Sequence, residues 1–322
     1  MGLSSTSNNS EVHFVAPPPV QGLSGILLPI TTPFDSGQDL DLKALSTNLN
    51  GWANTGISGI VVLGSTGERV HLDESEYVRV IDTARSEIAG DLAFIVGAGQ
   101  QSTRGTIQEI RNAANAGAEA VLVITPSFYR AALTQEVLIK HYTVVADSSP
   151  VPVILYSMPA LTGIKIEPVT VARLSDHPNI IGVKDSSADV DGFRETVELC
   201  PREFAVMTGN GTVLFDALGA GATGAILAVG CAVPQICVEV LRTFRDRENG
   251  RAELLQSKLT PLATAVTTKY GIGGLKFALD MSGYIGGSVR APLQAPNETA
   301  KKEIAQLLED AKRVYSNQTV SI

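Results

Sequence analysis

A lysine closes an otherwise apolar run at Ile180-Ile181-Gly182-Val183-Lys184. A primary amine in such a run is ion-paired, reaches back to water along its stem, or is functional. Burial disfavours an ammonium, so a buried amine is open to use as a nucleophile and can form a Schiff base with a carbonyl compound. The alternative at this position is a salt bridge with Asp185 or another carboxylate. Tyr156 ends a second apolar run, Val153-Ile154-Leu155. Beside an imine its phenol would shuttle a proton; otherwise it is a core tyrosine with its hydroxyl tied to a neighbour. Gly64-Ser65-Thr66-Gly67-Glu68 follows a third run. Its two hydroxyls and free backbone N–H groups suit a carboxylate, and an ordinary strand-to-helix turn is the alternative. The glycines at Gly97–Gly99 and Gly209–Gly211 are read as turn requirements. His13, His71, His141 and His177 are scattered, with no HExxH, GxSxG or P-loop pattern, so no metal site is expected.

These residues need elements to position them. Eight β-rich runs recur along the chain, beginning at Gly25, Gly59, Ala93, Ala120, Pro152, Ile180, Phe204 and Gly224. Continuous Val/Ile/Leu runs suit strands buried on both faces, and their spacing suits βα units. Between them, Asp73 and Glu76 form a capping-box pattern ahead of an apolar face at Tyr77, Val80, Ile81 and Ala84. Ile107, Ile110 and Ala114 predict a second such face, stopping at Gly117. The pattern predicts an α/β fold, a (β/α)8 TIM barrel, whose active residues belong at the C-terminal ends of strands. An open doubly wound sheet is the alternative, weakened by the absence of GxGxxG. Helical stretches at Glu239–Arg245, Ala252–Lys269 and Lys301–Val314 are too long for one closing helix. The expected division is a tail over 1–21, the barrel over 22–235, and the last barrel helix with a small helical C-terminal extension over 236–322.

The 322 residues are 44% hydrophobic and 18% charged, with mean hydropathy +0.15, which excludes a disordered chain. Cys200, Cys231 and Cys237 are an odd count without CxxC spacing, as free thiols in a reducing compartment would be. A net charge of −8 and a pI near 5.1 argue against nucleic acid as a partner. No apolar run is long enough for a membrane span. The N-terminal residues lack the pattern of a secretory signal and contain no Arg, so the cytoplasm is the expected compartment, with mitochondria not excluded. Met1-Gly2-Leu3-Ser4-Ser5-Thr6 fits a myristoylation pattern, with a plain tail as the alternative.

Three motifs in order, Gly64–Glu68, Tyr156-Ser157-Met158-Pro159-Ala160-Leu161-Thr162-Gly163 and Gly182-Val183-Lys184-Asp185-Ser186, resemble the dihydrodipicolinate synthase / N-acetylneuraminate lyase family of Schiff-base aldolases. The likeness runs from about Gly22 to Leu293. It implies a homotetramer built as a dimer of dimers, and neither metal nor organic cofactor. It implies that Lys184 forms an imine with a 2-oxo acid, pyruvate or its aldol adduct, while Tyr156 moves the proton as the C–C bond breaks or forms. Ser65 and Thr66 would hold the substrate carboxylate, with Thr66 also linking Tyr156 to a proton relay. Ser186 and Leu161 would line the pocket, and the backbone of Ile226 would face the imine.

Two departures from the family pattern bear on substrate. Many members place a tyrosine two residues after a Thr-Pro; here Phe128 stands there with Tyr129 next, so either Tyr129 substitutes as the catalytic residue after a one-residue adjustment or the relay is shortened and ends in water. Dihydrodipicolinate synthases carry an arginine at the place of Leu161, and leucine cannot clamp a carboxylate. Ala160-Leu161 resembles sialic acid lyases, which carry Asn where this chain has Ser157. The passages around His141–Asp147, His177–Ile180 and Gly283–Leu293 resemble 4-hydroxy-2-oxoglutarate aldolases and 2-keto-3-deoxy sugar-acid aldolases. The first would release pyruvate and glyoxylate, and a 3-deoxy-hexulosonate enzyme pyruvate and glyceraldehyde. A sugar-acid dehydratase and a non-catalytic barrel are the further alternatives.

Overall fold

The Val/Ile/Leu runs form eight parallel strands: β1 (Ile26–Pro29), β2 (Gly59–Val62), β3 (Ala93–Ala98), β4 (Ala120–Ile124), β5 (Val153–Ser157), β6 (Ile180–Asp185), β7 (Ala205–Thr208) and β8 (Gly224–Ile226). They follow one another around a closed barrel, with β8 pairing back onto β1. The computed structural model describes residues 20–88 and 90–319, so most of the tail expected over 1–21, Gly2 included, lies outside the described residues. Alternation along each strand divides the core in two. Leu27, Val61, Ile95, Leu122, Ile154, Met207 and Ile226 fill the barrel interior. Leu28, Val62, Phe94, Val123 and Val183 pack against the surrounding helices. Both layers are apolar, which explains why the strands read as unbroken hydrophobic runs. Val20 and Leu23, ahead of β1, pack onto the inner layer.

The helices are α1 (Leu42–Ala53), α2 (Glu74–Glu87), α3 (Thr103–Asn115), α4 (Gln135–Ser148), α5 (Pro159–Thr162), α6 (Pro168–Ser175), α7 (Val190–Leu199), α8 (Leu214–Gly219), α9 (Pro234–Arg245), α10 (Asn249–Thr264), α11 (Gly271–Asp280) and α12 (Glu298–Thr319). At the start of α2, Glu76 N donates to Asp73 Oδ1 at 2.9 Å and Asp73 N to Glu76 Oε2 at 3.1 Å, the capping box the sequence predicts. Such a cap contributes about 1 kcal/mol. The face of α3 is rotated from the expected one: Thr106, Glu109, Ile110 and Ala113 are its buried positions, rather than Ala114. Glu109 turns inward because Arg69 and the Gly99 N–H hold its carboxylate.

Beyond the closing helix α9, α10 to α12 form the C-terminal extension. Helix α11 was not expected, because Gly271-Ile272-Gly273-Gly274 has low helix propensity. It forms through packing: Gly273, Gly274, Leu275, Lys276, Ala278 and Leu279 are all buried. The segment after α11 docks on α1. Asn48 exchanges two 2.8 Å hydrogen bonds with the backbone of Ile285, and Trp52 stacks on Tyr284 with ring centroids 5.1 Å apart. The indole N–H of Trp52 donates to the carbonyl of Cys231 at 3.0 Å. The three cysteines are free thiols, with Cys231 and Cys237 fully buried. No helix among the described residues is long and apolar enough to cross a membrane.

Candidate active site

Tyr156 and Lys184 are direct neighbours in the β5–β6 register, near the C-terminal end of the barrel. Both point inward, since Tyr156 belongs to the interior cluster and the Lys184 Nζ lies 4.3 Å from the centroid of its ring. Lys184 is only 3% exposed, and no carboxylate among the described residues lies within ion-pair distance of it. The salt bridge to Asp185 is therefore not formed. Asp185 takes the opposite side of β6, where its carboxylate accepts from the Ser187 N–H at 2.7 Å and burial raises its pKa. Lys184 is a buried amine held against an aromatic face with its chemistry free.

The phenol oxygen of Tyr156 lies 3.0 Å from Ser65 Oγ. Ser65 comes from a tight turn after β2, in which the Gly67 N–H donates to the Gly64 carbonyl at 3.0 Å and the Glu68 N–H to that of Ser65 at 3.2 Å. Left-handed residues flank it, Leu63 with φ 58° and Glu68 with φ 54°. Such backbone costs about 1–3 kcal/mol per residue and persists where its surroundings hold it. The Thr32 hydroxyl does so from the loop after β1, donating to the Gly67 carbonyl at 2.7 Å. This corrects one expected role: the hydroxyl that meets Tyr156 belongs to Ser65, and Thr66 makes no hydrogen bond to it. In so tight a turn consecutive side chains diverge, leaving Thr66 buried beside the link.

Ser186 follows Lys184 at the next inward position, and its Oγ is buried without a protein partner. Ile226 lies fully buried in the interior layer. Thr31, which sequence reasoning missed, has the inward parity of Leu27 on β1 and is 1% exposed, with its hydroxyl unpartnered. A threonine pair closing the apolar run Ile26–Ile30 was the available signal. Two expected residues stand apart from this cluster. Leu161 is 64% exposed on α5, and Tyr129 is 72% exposed, its ring edge-on to Phe128. Two surface cavities of about 220 and 240 Å³ lie elsewhere, and neither borders Lys184.

Gly209 and Gly97 serve space rather than a left-handed turn, whereas Gly99, with φ 141°, has the backbone conformation that the turn reading expects of a glycine. A Cβ at Gly209 would fall 2.0 Å from Ser186 Oγ and 2.6 Å from Lys184 Cε, and one at Gly97 2.3 Å from the Leu63 carbonyl oxygen. Gly209→Ala should therefore displace the amine. The expected result is a folded protein in which reductive trapping of a carbonyl compound on Lys184 slows by about 10²-fold, measured by intact mass against time. Trapping at the normal rate would show that the amine tolerates the shift.

Three comparisons place this geometry among known proteins. The model of the dihydrodipicolinate synthetase family matches residues 22–311. The 4-hydroxy-tetrahydrodipicolinate synthase of Methanothrix thermoacetophila is 33% identical over 290 residues, which cover 89% of this chain and 97% of that protein. Among solved structures, the 4-hydroxy-tetrahydrodipicolinate synthase of Methylacidiphilum fumariolicum SolV superposes with a TM-score of 0.86 at 27% identity, over 93% of this chain and 98% of that one. YagE of E. coli K12, a prophage protein of the same family solved in complex with pyruvate, gives 0.84 at 29% identity, over 89% and 98%.

Proposed function

The chain belongs to the dihydrodipicolinate synthetase family of class I pyruvate aldolases and is a lyase, and from that premise we propose that it cleaves 4-hydroxy-2-oxoglutarate to pyruvate and glyoxylate. The observation that carries this reading is the buried, unpaired Lys184 amine against Tyr156, whose hydroxyl meets Ser65. Lys184 attacks the ketone carbon of the substrate, water leaves, and an imine forms. Ser65 and Thr66 hold the adjoining carboxylate through the Gly64–Gly67 turn, with Ser186 lining the pocket and Ile226 presenting its backbone to the imine. The C4 hydroxyl then gives its proton to the phenol oxygen of Tyr156 as that phenol passes its own proton toward Ser65. The C3–C4 bond breaks, its electron pair moves into the protonated imine to give an enamine, and glyoxylate leaves. Protonation at C3 and hydrolysis release pyruvate and restore the amine. The imine nitrogen is the electron sink, so the steps balance without a metal or an organic cofactor.

A second carboxylate on the substrate calls for a cation at the mouth. Leu161 offers none. Arg130, in the loop after β4, lies against the turn that ends α5: a Cβ at Gly163 would fall 2.8 Å from its Nη1. Arg130 is exposed, and no carboxylate among the described residues pairs with it. This favours a dicarboxylate over a 2-keto-3-deoxy-hexulosonate, whose distal end is neutral. The His141–Asp147 and His177–Ile180 passages resemble both kinds of aldolase, so the choice of glyoxylate over glyceraldehyde as the partner aldehyde rests on Arg130. Arg130→Ala should raise KM for 4-hydroxy-2-oxoglutarate by about tenfold or more while leaving pyruvate trapping unchanged. The test is turnover of both aldol substrates, with aspartate semialdehyde as a third candidate partner. Faster cleavage of the hexulosonate would replace the first assignment with the second. We further propose a cytoplasmic homotetramer whose neighbouring subunits cover Phe128 and Tyr129 and place Tyr129 near the relay.

A further inference from the structure

Glu68 ends the turn that carries Ser65 and Thr66, yet its own side chain turns away from the barrel interior. It is 2% exposed, and its Oε1 lies 2.6 Å from the Nζ of Lys276 on α11, which is equally buried. Its Oε2 accepts from the backbone N–H of Arg290 at 3.1 Å and lies 3.2 Å from His71 Nδ1. The same Lys276 Nζ donates to the Ser288 carbonyl at 2.5 Å. The Arg290 guanidinium donates to both oxygens of Glu76 at 2.6 Å and to the His71 carbonyl at 2.8 Å. Both cations lie over the ring of Phe34, which follows β1, with Lys276 Nζ 4.5 Å and Arg290 Cζ 4.4 Å from its centroid.

We propose that the Glu68–Lys276 ion pair, steadied by Arg290, is a positioning device through which the C-terminal extension sets where Ser65 and Thr66 meet the substrate carboxylate. Lys276 and Arg290 are thereby positioning residues for a site they do not touch. The mechanical path is short. Glu68 N donates to the Ser65 carbonyl, so a shift of Glu68 is felt directly by the residue that meets Tyr156. The left-handed backbone at Glu68 needs an external hold, and the extension provides it with charge-assisted contacts of defined geometry. A hydrophobic contact would keep the extension docked equally well but would not fix one orientation of the turn. Burial pulls the Lys276 ammonium below the usual lysine range, and Glu68 opposes that pull.

The inference rests on the reading that Ser65 and Thr66 bind the 2-oxo acid's carboxylate. Borohydride trapping of pyruvate on Lys184 tests the two separately. Wild-type protein that traps nothing overturns the function. With wild-type trapping established, Lys276→Met should raise the pyruvate concentration for half-maximal trapping by about tenfold or more, with saturated trapping close to wild type. Lys276→Arg should restore it to within about threefold. Arg290→Met removes a partly exposed charge, so it should fold where Lys276→Met does not, and it should raise the half-maximal concentration by about threefold or more. A merely structural role would lower the thermal midpoint and leave the half-maximal concentration unchanged. That result in the folded variants, or in Arg290→Met alone if Lys276→Met does not fold, overturns the proposal.

Discussion

Replacing Lys184 with methionine should abolish turnover, by on the order of 10⁵-fold or more, while the barrel stays folded. The two halves of this expectation have separate causes. The amine is the only group in the inward cluster of Lys184, Tyr156, Ser65 and Ser186 able to form an imine, and no neighbour can replace it. It has no ion-pair partner among the described residues, so its removal orphans no charge among them. Methionine keeps the bulk against Gly209 and the Tyr156 ring, so the thermal midpoint should move little. Borohydride with pyruvate, followed by peptide mass spectrometry, should add a reduced pyruvyl group to Lys184 in the wild type and to nothing in the variant. Turnover by folded Lys184→Met would end the imine mechanism.

Removing one oxygen should have the next largest effect. Tyr156→Phe keeps the ring beside Lys184 and removes the group that meets Ser65. Pyruvate should still be trapped on Lys184, because the carboxylate site and the nucleophile survive. Cleavage of the aldol adduct should fall by about 10²–10⁴-fold, the usual worth of a placed acid–base group, and the loss should fall on kcat rather than KM. Ser65→Ala leaves the phenol in place without its outlet and should lose less. Equal loss of trapping and cleavage in Tyr156→Phe would mean that Tyr156 shapes the imine instead of moving the proton.

The barrel and the buried Lys184 beside Tyr156 were legible because each strand is buried on both faces, so a polar residue ending an apolar run stands out. Lys184 was found in this way. The same logic would have found Lys276, which interrupts Leu275-Lys276-Phe277-Ala278-Leu279, but the glycines before it hid the helix that buries it. Tertiary packing, absent from any local pattern, decided that segment. The motif around Ser65 and Thr66 was visible, but not which hydroxyl would face Tyr156, because a tight turn aims adjacent side chains by its dihedral angles. Gly209 looked like a turn residue because a sequence cannot show that Lys184 Cε needs the space. Leu161, on the short helix α5, and Tyr129, in the loop after β4, are exposed, so the packing logic that marks buried polar residues does not reach them.

The stacking of Trp52 on Tyr284 has a practical consequence. Trp52 is the only tryptophan in the chain, it sits on a barrel helix, and its stacking partner belongs to the segment after α11. Its intrinsic fluorescence therefore watches a single seam, the one between barrel and extension. Undocking of the extension would let water reach a fully buried indole and shift its emission to the red, whereas loosening of the distant helices would leave the spectrum almost unchanged. An unmodified sample thus carries its own optical gauge of how firmly the residues beyond α9 grip the rest.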